Sequence, residues 1–139
     1  MRVVLDTNVV ASAFLWGGTP ERLIKLGGEG TLDLVTSEAL IAELAGILGR
    51  AKFAQKLGQK NLSATEIIAR YRELAEIIDP AAIEVATLRD PDDEAVIACA
   101  LAAAADLIVS GDHDLRVLKT YRRIRIVNAA EALRIIASP

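Results

Sequence analysis

Four acidic residues stand where packing does not ask for acids. Asp6 follows the apolar run Val3-Val4-Leu5, and Asp112 follows Leu107-Ile108-Val109 after the turn Ser110-Gly111. Glu43 lies three residues after Leu40 and four before Ile47, inside the stripe of Leu40, Leu44, Ile47 and Leu48. Asp93 repeats that placement, three before Val96 and four before Ile97. Each has a plain structural reading on its own. Asp6 and Asp112 suit turns or caps, Glu43 suits a salt-bridged rim, and Asp93 suits the positive end of a helix dipole. Together they say more, because ionised carboxylates cannot crowd together unless cations neutralise them. Oxygen-only ligands suit Mg²⁺ or Mn²⁺ rather than zinc. Such ions activate a water and stabilise the attacking and leaving oxygens in phosphodiester hydrolysis.

The elements that must position these acids alternate between strand and helix. Strands are read at Val3–Leu5, Leu32–Thr36, Ile83–Ala86, Leu107–Val109 and Ile124–Val127. Helices are read after Asp6-Thr7-Asn8, from Thr19-Pro20 as cap and first residue, and from Ser37 to about Leu48. Arg50 to Gln59 is weakly helical and basic, and Ser63-Ala64-Thr65-Glu66 is a capping box before a helix carrying Ile67, Tyr71, Leu74 and Ile78. Asp90-Pro91 opens another helix, and Asn128 caps the last. Apolar strands alternating with helices predict an α/β fold with a mainly parallel sheet covered on both faces. Ligands of such sheets bind beyond the carboxyl ends of the strands, where the four acids fall.

Composition narrows the class further. The 139 residues carry 16 Lys+Arg and 19 Asp+Glu, a net charge of −3, with 53% hydrophobic and 25% charged residues. That is one globular domain over residues 1–139, not a disordered chain. A lone cysteine, Cys99, excludes an internal disulfide framework, and a lone histidine, His113, excludes any site needing two. Cys99, in an alanine-rich run, reads as core filling, and His113 as an exposed turn residue. With 4% aromatics, rows of stacked rings are not expected. No apolar run reaches the ~18 residues of a membrane span, so a soluble, reduced, cytoplasmic protein is expected.

In these segments the chain resembles a known family. Leu5-Asp6-Thr7-Asn8-Val9, Ser37 to Leu44, Asp90 to Ala100 and Leu107 to Leu115 resemble, in order, the four motifs of PIN-domain nucleases. The likeness covers nearly the whole chain and is strongest to VapC-like toxins of toxin–antitoxin pairs. It implies a three-layer α/β/α sandwich with a mainly parallel four- to five-stranded sheet. It also implies an Mg²⁺- or Mn²⁺-dependent endoribonuclease leaving 5′-phosphate and 3′-hydroxyl ends. Asp6, Glu43, Asp93 and Asp112 match the family's acidic quartet, with no departure. Thr7, Asn8 and Ser110 match the polar residues that orient it, Ser110 keeping the hydroxyl of the more common threonine. Asp114 is a weaker supporting candidate, and Asp90 and Asp92 are ambiguous neighbours. An antitoxin partner, docked on early helices, and a homodimer are implied as well. The aliphatic segments Arg22 to Leu26 and Ile67 to Ile78, and Trp16 beside Gly17-Gly18, are the candidate surfaces.

An acidic site needs help to hold an anionic substrate. Two basic clusters offer it: Arg50-Lys52-Lys56-Lys60 and Arg116-Lys119-Arg122-Arg123-Arg125. Each also reads as a solvated face. Two alternatives from other classes stay open: a non-catalytic scaffold of the same fold, and a receiver-like Mg²⁺-binding signalling domain. The missing lysine after the last strand counts against the receiver. Gly27-Gly28-Glu29-Gly30 lacks the spacing of a dinucleotide fingerprint, since position 33 is Asp.

Overall fold

The computed structural model describes residues 1–80, 91–117 and 119–137, with side chains at all of these except 91–93 and 114. The strands are β1 (Arg2–Leu5), β2 (Asp33–Thr36), β3 (Ala75–Ile77), β4 (Leu107–Val109), β5 (Thr120–Tyr121) and β6 (Ile124–Val127). The helices are α1 (Thr7–Leu15), α2 (Gly18–Gly28), α3 (Glu38–Leu48), α4 (Ala51–Gln59), α5 (Ala64–Leu74), α6 (Pro91–Ala102), α7 (His113–Arg116) and α8 (Ala129–Ala137). One six-stranded sheet runs in the order β3-β2-β1-β4-β6-β5. All pairings are parallel except β5 with β6.

Alternation along each strand divides the core in two. Val3, Leu5, Leu34, Leu107, Val109 and Val127 face one cluster, filled by α1 to α5 and α8. Val4, Val35, Ile108, Ile124 and Ile126 face the other, filled mainly by α6 and Leu115 of α7. This period of two, between helical layers on both faces, is the expected three-layer α/β/α architecture. Register Leu5↔Val109↔Val127 sets the carboxyl ends of β1, β4 and β6 level.

Several local expectations hold. Ser37 caps α3, its hydroxyl accepting from the Leu40 N–H at 3.3 Å. Ser63 and Glu66 form the reciprocal capping box of α5. Asn128 opens α8, its side-chain oxygen accepting from the Glu131 N–H at 2.8 Å.

The differences have physical causes. Thr19 does not cap α2; the helix starts at Gly18, after Gly17 with φ 76, a left-handed position that glycine takes without strain. The helix expected to reach Ile78 ends at Leu74, because Ala75–Ile77 pair with β2 and extend the sheet. Among the described residues the sheet therefore has six strands where four to five were expected. β5, the other added strand, is closed by Arg122 and Arg123, both at positive φ. Each such residue costs about 1 kcal/mol relative to ordinary backbone. The expected strand at Ile83–Ala86, and Asp90, lie outside the described residues.

Candidate active site

The carboxyl edge of the sheet holds a chain of hydrogen bonds through two hydroxyls. Asp6 leaves β1 with its backbone N–H donating to the Val109 carbonyl at 2.9 Å, so it is locked to β4 before α1 begins. One carboxylate oxygen of Asp6, Oδ1, accepts from the Thr7 N–H at 2.8 Å. The other, Oδ2, accepts from the Ser110 hydroxyl at 2.8 Å. The same Ser110 oxygen accepts from the Asp112 N–H at 2.9 Å, which fixes the turn that carries Asp112. On the other side the Thr7 hydroxyl donates to Glu43 Oε1 at 3.1 Å, tying α1 to α3. The carboxylates of Glu43 and Asp6 are thus joined through Thr7, and Ser110 ties Asp6 to the backbone of Asp112.

Burial separates holders from held. Thr7 and Ser110 are buried, Asp6 and Glu43 are half-buried, and Asp112 and Asn8 are exposed. Glu43 is therefore neither a core residue nor a free surface one; it lies at the lip of the apolar stripe. The fourth acid, Asp93, is in the first turn of α6. That helix packs mainly on the other face of the sheet from α1 and ends shortly before β4, so its start lies toward the carboxyl edge. The side chains of Asp93 and Asp114 lie outside the described residues. Asp114 falls within α7, one turn past β4.

Ser37, expected as a cap, is also fully buried at this edge, near the Cys99 thiol. Burial pushes that thiol up to about 12, the Ser37 bond opposing. Cys99 is thus an inert core group, as expected. Burial likewise raises the Tyr71 hydroxyl, with Cys99 adding to it. His113 is exposed at the start of α7.

The two basic clusters land in different places. Lys52 and Lys56 sit 5.4 and 6.0 Å from the Trp16 ring, which itself meets Phe53 edge-on at 5.5 Å. Trp16 closes α1 ten residues after Asp6, so this cluster is about 15 Å along the helix axis from Asp6. Arg50 precedes α4 and is exposed. Arg116 ends α7, one turn from Asp112, and Lys119 follows it.

The donor set here is oxygen only: carboxylates, with hydroxyls behind them. That chemistry fits a hard divalent cation. A carboxylate has about four acceptor positions, so the two hydrogen bonds to Asp6 described above do not by themselves exhaust it. Among the described residues, no three His, Cys, Asp or Glu side chains converge closely enough to hold an ion between them. Among them, too, no helix is long and apolar enough to cross a membrane.

A mostly parallel three-layer domain with acids gathered over its carboxyl edge defines the class of protein in which relatives are to be sought. The family described as PIN domain matches residues 2–114. The chain belongs to the PIN domain family. Among solved structures it is similar to a chain of VapBC2 from Rickettsia felis, solved bound to a DNA fragment from their promoter. The TM-score is 0.61 at 16% identity, covering 92% of this chain and 98% of that one. None of the curated proteins compared matches the chain.

Proposed function

We propose that this protein is an Mg²⁺- or Mn²⁺-dependent endoribonuclease and the toxin of a toxin–antitoxin pair. The observation that carries the reading is the hydrogen-bonded run at the carboxyl edge in which the Thr7 hydroxyl and N–H join Glu43 to Asp6, and the Ser110 hydroxyl joins Asp6 to the Asp112 backbone. Asp6, Glu43, Asp93 and Asp112 would hold the cation. A bound divalent ion supplies an activated water and charge neutralisation at the phosphate. The chain's own residues orient that assembly. Ser110 and Thr7 fix the carboxylate planes of Asp6 and Glu43, and the β4–α7 turn holds Asp112 level with them. The half-burial of Asp6 and Glu43 keeps these acids at the rim, where a polymer can reach them. Membership in the PIN domain family and the likeness to VapBC2 support the reading, with a cognate antitoxin and a second copy of the chain as protein partners.

The test is cleavage of a mixed RNA pool by the wild type and by Asp6→Asn, with Mg²⁺, with Mn²⁺ and with EDTA. Cutting that needs the metal, and falls at least about 100-fold in the variant, is the expected result; removing one transition-state contact commonly costs that much. A folded wild type that cuts nothing with either ion points instead to a scaffold of the same fold.

A further inference from the structure

The β5–β6 hairpin gathers positive charge where its backbone makes charge hard to place. Its turn residues Arg122 and Arg123 have φ 46 and 73, and Lys119 just before β5 has φ 58. A two-residue hairpin turn with both φ positive is the kind that Asn and Gly fill best. Arginine brings a Cβ that this conformation penalises. Packing does not require these residues, because Lys119, Arg122 and Arg123 are all exposed, with Arg122 lying 5.6 Å over the Tyr121 ring. Folding alone would be served better by Asn-Gly.

This segment starts at the acids. The Arg116 N–H donates to the Asp112 carbonyl at 3.0 Å, the Lys119 N–H to the Arg116 carbonyl at 3.0 Å, and the Ile126 N–H to the Lys119 carbonyl at 2.8 Å. Arg116, Lys119 and Arg125 line a cleft of about 350 Å³ on the flank of β6, with Glu131 on its wall. Among the described residues the Arg116 Nε–H is buried without an acceptor. From that cleft the cations continue along the hairpin to Arg122 and Arg123 at the amino end of β6, beside Met1 and Asp106, so the positive charge runs across the flank of the sheet from its carboxyl to its amino end. The other basic cluster is set around Trp16, at the far end of α1 from Asp6.

We propose that α7 and the β5–β6 hairpin form the track that holds the sugar–phosphate backbone of a single-stranded RNA leading to the carboxylates. The inference rests on the nuclease reading above. It is tested by anisotropy titration of a labelled single-stranded RNA in the Asp6→Asn background with Mg²⁺ across a salt series. Arg122→Asn/Arg123→Gly is expected to weaken binding and to flatten the salt slope by roughly 1 to 1.5, the share of two phosphate contacts. The same change should hold or raise Tm. Arg122→Lys/Arg123→Lys should restore the slope, and Lys52→Gln/Lys56→Gln should leave it unchanged. If the glycine variant does not fold, Arg122→Gln/Arg123→Gln carries the same prediction for binding. A parent that binds RNA while both neutral hairpin variants keep its slope overturns the track and leaves the nuclease reading standing. A loss confined to the Lys52/Lys56 variant overturns it equally. A folded parent that binds no RNA even at low salt overturns both.

Discussion

The two ends of the same sheet are closed with opposite chemistry. At the amino edge, charge meets charge or backbone. Arg2 donates through Nε to the Ala103 carbonyl at 2.7 Å and pairs with Glu76 at 3.1 Å, while its N–H binds Asp106 at 2.9 Å. At the carboxyl edge, Asp6 and Glu43 accept from neutral donors: a threonine hydroxyl, a serine hydroxyl and a backbone N–H. The polar side chains buried among the described residues are Thr7, Thr36, Ser37 and Ser110, and all lie at or within two residues of a strand's carboxyl end. An arginine partner neutralises a carboxylate as it positions it. A hydroxyl positions it without bringing a charge of its own. The two edges thus differ in the kind of donor that holds their acids.

The contrast breaks first at Ser110. Beyond the large loss expected for Asp6→Asn, Ser110→Ala removes the one oxygen that serves both Asp6 and Asp112. RNA cleavage should fall about 10- to 100-fold, equal to ~1.4–2.7 kcal/mol in the barrier. Stability should fall by only about 1 kcal/mol, one hydrogen-bonding group being lost. Ser110→Thr should keep most of the rate. Full activity in a folded Ser110→Ala protein would show that the bridge does not set the acids.

Arg2→Ala sharpens it from the other side. Loss of its bonds to the Ala103 carbonyl and Glu76 should cost about 1–2 kcal/mol, a drop of roughly 4–8 °C in Tm for a domain this size. Cleavage per folded molecule should not change. A thermal melt and a rate measured well below Tm decide it; a slower rate with unchanged Tm would mean the edges are coupled.

What could be read from the chain follows the same division. The carboxyl edge was legible because its acids violate a packing expectation: Glu43 interrupts a stripe of leucines and isoleucines, and Asp6 and Asp112 end apolar runs. The helix starts were legible because Ser37, Ser63 and Asn128 cap by local chemistry. The added strands were not. Ala75–Ile77 carries helix-like apolar spacing and becomes a strand only because β2 offers it an edge. Thr120–Tyr121 is closed by Arg-Arg instead of Asn-Gly, so the hairpin reads as a basic loop. The bridging role of Thr7 with Glu43 is equally invisible in spacing, since it depends on how α1 packs against α3.

The smallest expected effect concerns Glu38 and Arg72, which hold the first turn of α3 against α5 from outside. Arg72 makes two bonds to the Glu38 carboxylate, at 2.7 and 2.8 Å. Those bonds hold Glu38 below its ordinary 4.5 and raise Arg72. The pair is exposed, so its contribution is small and screened by salt. The sign follows from the depressed acid. A carboxylate with a lowered folded-state pKa stabilises above its unfolded value and loses that contribution as pH falls through the folded one. The Tm gap between wild type and Glu38→Gln should therefore be steady at neutral pH and close below 4.5, and added salt should shrink it at any pH. RNA cleavage at neutral pH should be equal in the two proteins. Here a carboxylate near the carboxyl edge is held by an arginine, as at the amino edge, so hydroxyl partners are not simply what this side of the fold provides. Unequal cleavage would place Glu38 with the acids it accompanies in sequence; equal cleavage leaves it a structural partner of Arg72 alone.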